Sequence, residues 1–520
     1  MAQNPDQIIK EVQELFLSDP LPWIVGYSGG KDSTASLQLI WNAISALPEE
    51  TRRFKPIYVI STDTLVENPV IAMWVELSLK RMELAAHQQG LRIIPKRLTP
   101  DLGNRFWVNL IGKGYPAPRA KFRWCTDRLK ISASTKFIQE LSEANGEAIL
   151  VLGQRRGESA VRDKVIDNYQ QSTRDRLSRN KDPKLSRVWV YLPIETWGSD
   201  DVWEYIIENP NPWGIDNQDL FDIYRGATPD AECPIVVDKS TPSCGDSRFG
   251  CYVCTMVAQD KSMAAMIQND QDKAWMQPIM DFRDRFLAVE DRHLRDFRRM
   301  NGRIILMNDR LVHGPYTQER RVELLRELLR TQRQVQEAMP DWGVSGLQLV
   351  QLDELEEIRR QWVVEKGEIE DLLPRVYEEV YGESYPGQEL DVMPLDPNDL
   401  GLLKEVATEW AGDRLPVDDE AVLHQRADEL YKLTRTLLAA SFRGLQSRNR
   451  SGQLDELEAV LKNFAFVDEV DALEFAKTHL KDDSAKVGEP QAAYEVEEEA
   501  ASEHSDVKVI PITAVNPLLS

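Results

Sequence analysis

Ser28-Gly29-Gly30-Lys31-Asp32-Ser33-Thr34 (SGGKDST) is the stretch that decides the fold. It follows a short apolar run, Trp23–Tyr27 (WIVGY), and precedes a stretch from about Ser33 to Ala46 whose Leu37, Leu39 and Ile40 fall on one helical side. A strand, a small-residue bend and a helix in that order make an anion site. Gly29 and Gly30 let the backbone turn tightly and approach a ligand closely. The helix start presents unpaired N–H groups and the positive end of its dipole. Ser28, Ser33 and Thr34 add hydroxyls and Lys31 adds a charge, which suits a pyrophosphate group. The pattern is not the G-x-x-x-x-G-K-[ST] loop of ordinary nucleotide triphosphatases, because only two glycines are present and Asp32 follows the lysine. The bland alternative is a Gly-Gly turn with Asp32 or Ser33 capping a helix.

Further strands are expected at Pro56–Ser61, Leu91–Pro95 and Glu147–Gly153, with helices over residues 1–20 and Asn68–Gln89. Their alternation predicts an α/β fold, a doubly wound parallel sheet. Asp63 follows the second strand at the carboxyl edge, where open α/β sheets bind ligands, and is a candidate to face a nucleotide or its Mg²⁺. An Asx-type turn is the competing reading. After the fourth strand comes Gly153–Arg162 (GQRRGESAVR), in which Arg155, Arg156 and Arg162 supply fork-shaped donors suited to phosphate oxygens. Trp197, Val202, Trp203 and Ile206 are expected to pack in the core.

The chain has 520 residues, 42% hydrophobic and 29% charged, a composition suited to a globular protein of several domains. No apolar run approaches the roughly 18–20 residues that a membrane span needs. The start has no signal-peptide pattern, so a cytoplasmic location without membrane attachment is expected. The net charge of −23 argues against indiscriminate binding to polyanions. Residues 91–187 nevertheless hold 21 Lys and Arg against 10 Asp and Glu, a local +11 that leaves −34 for the remainder. The polar run from Arg174 to Arg187 is expected to be an exposed loop. With the Arg-rich stretch Arg283–Arg303, it is a candidate to track a nucleic-acid backbone.

Five cysteines exclude a disulfide scaffold. Cys233, Cys244, Cys251 and Cys254 are spaced C-x10-C-x6-C-x2-C, which suits tetrahedral zinc or a [4Fe–4S] cluster. Zinc sites usually carry two close pairs, so the single C-x2-C leans toward iron–sulfur. Cys125 stands apart in RWCTDRLK. Arg119, Lys121, Arg123 and Arg128 are expected to lower its thiol pKa and make it a nucleophile, against the alternative of a buried small hydrophobe.

SGGKDST resembles the motif of the PP-loop ATP pyrophosphatases, the adenine nucleotide alpha hydrolase-like fold. GQRRGESAVR and Leu192–Ile206 (LPIETWGSDDVWEYI) are similar to the phosphoadenylylsulfate (PAPS) reductase branch of that group. Together with RWCTDRLK, the late cysteine cluster and Val312–Arg320 (VHGPYTQER), the pattern resembles the DndC family of DNA phosphorothioation (DNA sulfur modification) proteins. The single-strand SspD type is the near alternative. The resemblance runs from about residue 20 to 330. It implies ATP and Mg²⁺ at Ser28–Thr34 with Asp63, Arg155, Arg156 and Arg162, and a [4Fe–4S] cluster on Cys233, Cys244, Cys251 and Cys254. Lys31, Asp32 and Cys125 are the candidate catalytic residues, Cys125 because it stands apart from the other four cysteines within a cationic flank.

The implied partners are DNA, a cysteine desulfurase as sulfur donor, and other DNA phosphorothioation proteins of a restriction-modification system. The implied reaction is adenylation of a DNA backbone phosphate with pyrophosphate release, followed by sulfur insertion. The competing expectations are a PAPS reductase-like or tRNA-thiolating sulfurtransferase, and a non-catalytic ATP-binding scaffold. The expected organisation is a PP-loop domain over 1–220, a cysteine-cluster segment over 221–300, helical regions over 301–395 and 396–481, and an acidic disordered tail over 482–520.

Overall fold

The computed structural model describes residues 3–120, 122–157, 163–164, 166, 176–180, 182–228, 249–307, 309–339, 347–390, 395–414, 420–446, 452–466, 468–482 and 507–509. Arg162, Cys233 and Cys244 lie outside them. Among the described residues, no helix is long and apolar enough to cross a membrane.

The chain divides into two compact units. The first comprises Met1–Phe106, Trp124–Arg283 and Ala338–Gly343. It is built on six strands: β1 (Trp23–Gly26), β2 (Ile57–Thr62), β3 (Ile93–Leu98), β4 (Ala148–Val151), β5 (Ser178–Arg179) and β6 (Val188–Tyr191), in the order β3-β2-β1-β4-β6-β5. All neighbours pair in parallel except β5, which runs antiparallel to β6 at the edge.

The period-two alternation of the strands feeds two cores. Trp23, Val25, Ile57, Val59, Ile149 and Val151 point into one. Helices α1 (Pro5–Ser18), α2 (Lys31–Ser45), α3 (Pro69–Gln88), α5 (Ser199–Glu208) and α6 (Asn217–Gly226) cover that face. Ile24, Ile60, Ala148 and Leu150 point into the other, against Ile138 of α4 (Ser132–Asn145). The doubly wound parallel sheet expected from the sequence is the observed architecture. Trp197, Val202, Trp203 and Ile206 are buried in its larger core, as expected.

The chain lays β2 and β3 on one side of β1, then β4 and β6 on the other. The direction of winding therefore reverses between β1 and β4, and their carboxyl ends flank the crevice where such sheets take ligands. Gly153, leaving β4, lies directly on the first turn of α2. A Cβ there would stand 2.7 Å from the Asp32 carbonyl oxygen.

One expectation is corrected. Part of Arg174–Arg187 is the edge strand β5, not an exposed loop. Arg179 lies over the Trp189 ring at 4.0 Å and bonds Glu147 at 2.7 Å, and Arg176 bonds Glu14 at 2.9 Å. These arginines are held by a carboxylate of α1 and by the one just before β4. Residues 188–191 (VWVY) supply the strand on which β5 pairs; four residues bear too little periodicity to reveal it.

The second unit comprises Trp107–Arg123, Asp284–Glu337 and Val344–Ser520. It is mainly helical, with Gln318–Ala338, Leu352–Arg360, Leu372–Tyr381, Pro397–Arg414, Glu420–Gln446, Gln453–Asn463 and Glu469–Asp482 as its helices. Trp107 and Trp362 are buried, and their indole N–H groups donate to the Leu349 and Ile111 carbonyls at 2.6 and 2.9 Å. A small antiparallel sheet joins β7 (Ile305–Met307) to β8 (Arg310–Leu311) and to β9 (Val507–Val509). Val507–Val509 thus forms ordered structure within the stretch expected to be disordered. The rest of that tail from Ser484 lies outside the described residues.

Gly153→Ala pushes a methyl group against backbone that cannot move aside. Urea denaturation of the variant is expected to show a loss of about 1–3 kcal/mol, while Gly103→Ala, with open space around it and no left-handed backbone, should not show this loss.

Candidate active site at the carboxyl edge

The bend after β1 is fixed from three directions. Gly29 has φ +76°, and a Cβ there would meet Val75 Cγ2 at 2.5 Å, so glycine is required on both counts. Trp74 of α3 donates its indole N–H to the Gly29 carbonyl at 3.1 Å. Inside the bend, Ser33 Oγ donates to the Gly30 carbonyl at 2.9 Å, accepts from the Ser28 N–H at 3.2 Å, and lies 3.1 Å from Ser28 Oγ. Gly30 caps α2 with no side chain, which leaves the first-turn amides of Lys31 and its successors without intrahelical acceptors. The Lys31 N–H instead donates to the Tyr224 hydroxyl at 3.2 Å, and Lys31 Nζ sits 5.3 Å from the centre of the same ring. Lys31 and Ser33 are buried, Thr34 fully so, and Ser28 is exposed.

The candidate phosphate ligands are engaged as follows. Arg155, 4% exposed, donates its Nε–H to Asp32 Oδ1 at 2.7 Å and an Nη1–H to the Trp197 carbonyl at 3.3 Å. Arg156 donates to Glu195 Oε1 at 2.6 Å. Asp63 makes the Asx-type turn, accepting from the Leu65 N–H at 2.8 Å, while its other oxygen pairs with Arg97. Asp32, half-buried, and the buried Arg155 therefore act as one pair that orients the start of α2.

The fold carries Cys125 to the other described cysteines. Gly250 and Tyr252 exchange backbone hydrogen bonds with Asn68 and Val66, and Cys251 is bridged to Glu67 just beyond β2. Cys251 Sγ lies 3.6 Å from Thr64 Oγ1, and the Cys254 N–H donates to the Cys251 carbonyl at 2.9 Å. Lys130 Nζ pairs with Glu67 at 3.1 Å. Burial works against the Lys130 charge, but Glu67, Cys251 and Cys125 prevail and its pKa rises to about 12. Burial, then the Glu67 charge, pushes the Cys251 thiol up to about 12.

The expected acidic Cys125 is corrected. Burial first, then the nearby Cys254, raises its thiol above the ordinary value, against the Thr126 hydrogen bond. Two of the flanking arginines are engaged elsewhere: Arg128 bonds Asn104 at 3.3 Å, and Arg119 pairs with Asp291 at 2.8 Å. Lys121 lies outside the described residues.

Arg283, read earlier as part of a DNA-tracking stretch, is 1% exposed. Its guanidinium donates to the carbonyls of Cys254 at 2.8 Å, Ala258 at 3.2 Å and Val257, clamping the loop after the last cysteine. The entry to that loop is held too, because Phe249 packs edge-on against Tyr224 with ring centres 4.9 Å apart. Sequence spacing missed Tyr224, Glu67, Lys130 and Arg283. Tyr224 is 193 residues from Lys31, and no local pattern distinguishes it. Among the described residues, no three His, Cys, Asp or Glu side chains are grouped to hold a metal ion.

Residues 22–255 match the family model described as phosphoadenosine phosphosulfate reductase domain. The match spans β1 to Cys254, a little under half of the chain. An uncharacterized protein of Methanocaldococcus jannaschii, MJ0066, is 30% identical over 192 residues, covering 37% of this chain and 32% of its own length. The matched region is thus about a third of that relative. Among solved structures, the FMN adenylyltransferase of Candida glabrata with FMN and an ATP analogue is 13% identical, with a TM-score of 0.25. That alignment covers 43% of this chain and 60% of the other. The U34-tRNA thiolase NcsA of Methanococcus maripaludis with its [4Fe-4S] cluster is 14% identical, with a TM-score of 0.24, covering 55% and 82%.

Arg283→Met removes the clamp while keeping the stem. Amide exchange over residues 254–258 and reaction of Cys254 with a thiol reagent are both expected to speed up, read by mass spectrometry of the peptides.

Proposed function

We propose that the first unit activates an oxygen as an adenylate, using ATP, so that sulfur can replace it, and that the oxygen belongs to a DNA backbone phosphate. The observation that carries the reading is the strand–SGGKDST–helix bend at the switch point of the sheet, with three cysteines on the same carboxyl edge. A phosphate oxygen is a poor leaving group. An enzyme that exchanges it for sulfur needs a nucleotide-cleaving bend and thiol chemistry within one crevice.

In this reading the β- and γ-phosphates lie on the Ser28–Ser33 bend, where α2 amides, Ser28 and Lys31 stabilise the charge that builds on leaving pyrophosphate. Mg²⁺ would share that neutralisation. Tyr224 has to yield the Lys31 N–H for a phosphate oxygen to take it. Asp32 serves by holding Arg155, which fixes the helix start. The acceptor oxygen attacks the α-phosphorus and AMP becomes the group that sulfur displaces, with Cys125 as the sulfur-handling thiol. A cysteine desulfurase and other phosphorothioation proteins would complete the pathway.

The thiols of Cys251 and Cys254, joined by a tight turn, suit a thiophilic group. With Cys233 and Cys244 they are the set proposed to hold a [4Fe–4S] cluster, which would supply redox or sulfur chemistry. The DNA assignment is supported by the DndC-like motifs and by the basic segment 91–187. PAPS reduction and tRNA thiolation use the same crevice and differ in product.

The test is anaerobic incubation of the full chain with DNA and α-labelled ATP. AMP and pyrophosphate are expected, with Lys31→Ala lowering their release about 10²-fold or more. ADP and orthophosphate would end the reading. Mass spectrometry of nucleic acid from cells with and without the gene decides the acceptor: backbone sulfur in DNA is expected, and a thiolated tRNA base would replace DNA with tRNA.

A further inference from the structure

The second unit contains a cavity of about 530 Å³, mouth included, that takes no part in the site above. Its walls are cationic and aromatic: Tyr115, Arg119, Phe122, Arg295, Arg299 and Met300. In a chain of net charge −23, three guanidiniums around one hollow are unusual enough to need an account.

Local structure explains how they converge. Arg119 and Phe122 exchange backbone hydrogen bonds at 3.2 and 2.8 Å, so a tight turn sets the charge beside the ring. Gly314 admits the opposite wall. A Cβ there would stand 2.0 Å from the Arg298 carbonyl oxygen, so only glycine lets that backbone run against Arg298 and Arg299. Tyr115 and Phe122 have ring centres 6.4 Å apart, tilted by 49°.

The charges do not balance internally. Asp291, 3% exposed, takes two hydrogen bonds from Arg119 at 2.9 and 2.8 Å and one from the Tyr316 hydroxyl at 2.9 Å. Arg295 pairs with the same carboxylate through its Nε at 3.3 Å and donates an Nη1–H to the His313 carbonyl at 3.4 Å, so one carboxylate serves two guanidiniums. Among the described residues, no carboxylate pairs with Arg299, whose guanidinium reaches the His313 carbonyl at 3.4 Å. Burial, and the charge of Arg119 after the opposing pull of Asp291, hold Arg295 below the usual guanidinium range. Other arginines of the 283–303 stretch are spent on their own partners: Arg292 on Glu469, and Arg298 on Asp296 and Glu429. Of the stretch, Arg283, Arg292 and Arg298 are thus engaged within the fold, and Arg295 and Arg299 face the pocket.

An excess of guanidinium needs an anion, and the adjoining rings and Met300 need a flat apolar partner. We propose that this cavity binds one nucleotide unit, with its phosphate on Arg119, Arg295 and Arg299 and its base against Phe122 and Tyr115. Arg forks match phosphate oxygens, and aromatic faces accept any base. A nucleic-acid strand and a free nucleotide both present this chemistry. The strand is the source that extends the DNA reading above, but the site itself is independent of ATP cleavage.

The experiment uses the full chain and a labelled ~12-nucleotide DNA strand without ATP, read by fluorescence anisotropy. Each measurement is repeated on the Lys31→Ala chain, so that nucleotide held at the Ser28–Thr34 bend cannot confuse the result. Arg299→Glu and Phe122→Ala are each expected to weaken strand binding about tenfold, and Arg299→Glu to flatten its salt dependence. Circular dichroism confirms folding, and Phe122→Tyr should bind as the parent does. AMP is expected to displace the strand far better than inorganic phosphate. AMP displacement at concentrations matching the strand's own affinity identifies a free nucleotide as occupant, and much weaker displacement identifies the strand. Unchanged affinity in both folded variants, or phosphate competing as well as AMP, overturns the proposal. Pyrophosphate release is a separate readout, so loss of that activity in the parent chain counts against the proposed function alone.

Discussion

The pair formed by the buried Arg155 and the half-buried Asp32 is the constraint on which the site depends. A guanidinium 4% exposed is costly unless a carboxylate meets it, and here that carboxylate is on the first turn of the helix that offers its amides to a ligand. The pair ties the exit of β4 to the start of α2 across the switch point. Gly153 allows the close approach, and Trp74 holds the bend from the third side. The amides of α2 are thereby pre-oriented, so an anion need not order them on arrival. A pair with this duty is as much an element of folding as of binding.

The cysteine neighbourhood shows why sequence neighbours are a poor guide to electrostatics. Cys125 is flanked by basic residues in the chain, yet its thiol is raised. A thiolate feels what touches it, and two of the arginines flanking it in sequence, Arg128 and Arg119, turn to Asn104 and Asp291. The positive charge that acts on the Cys251 thiol is Lys130, paired with Glu67 from a different element. Arg283 shapes the same region without charge pairing as its purpose: it satisfies three carbonyls of a loop that has no regular structure.

The overall acidity is likewise no guide to local surfaces. Exposed carboxylates set the net charge, whereas the hollow at Arg119, Arg295 and Arg299 is set by how two short segments fold against Asp291. One saturated carboxylate among three guanidiniums leaves a local excess that the bulk value of −23 conceals.

The sequence by itself determined the doubly wound sheet, the place of the Ser28–Thr34 bend within it and the core role of Trp197 and Trp203. Each of these rests on short-range patterning: strand alternation, helix periodicity, and glycines at a turn. Arg155 and Asp63 were visible as candidates, but the partners that occupy them were not. Tertiary structure alone decided that Tyr224 meets the Lys31 amide, that Cys125 joins Cys251 and Cys254, that Arg283 turns inward, and that β5 and β6 complete the sheet. These are contacts between residues tens to hundreds of positions apart. They are chosen by packing and by the cost of leaving buried charge unpaired, and neither is written in the local order of residues.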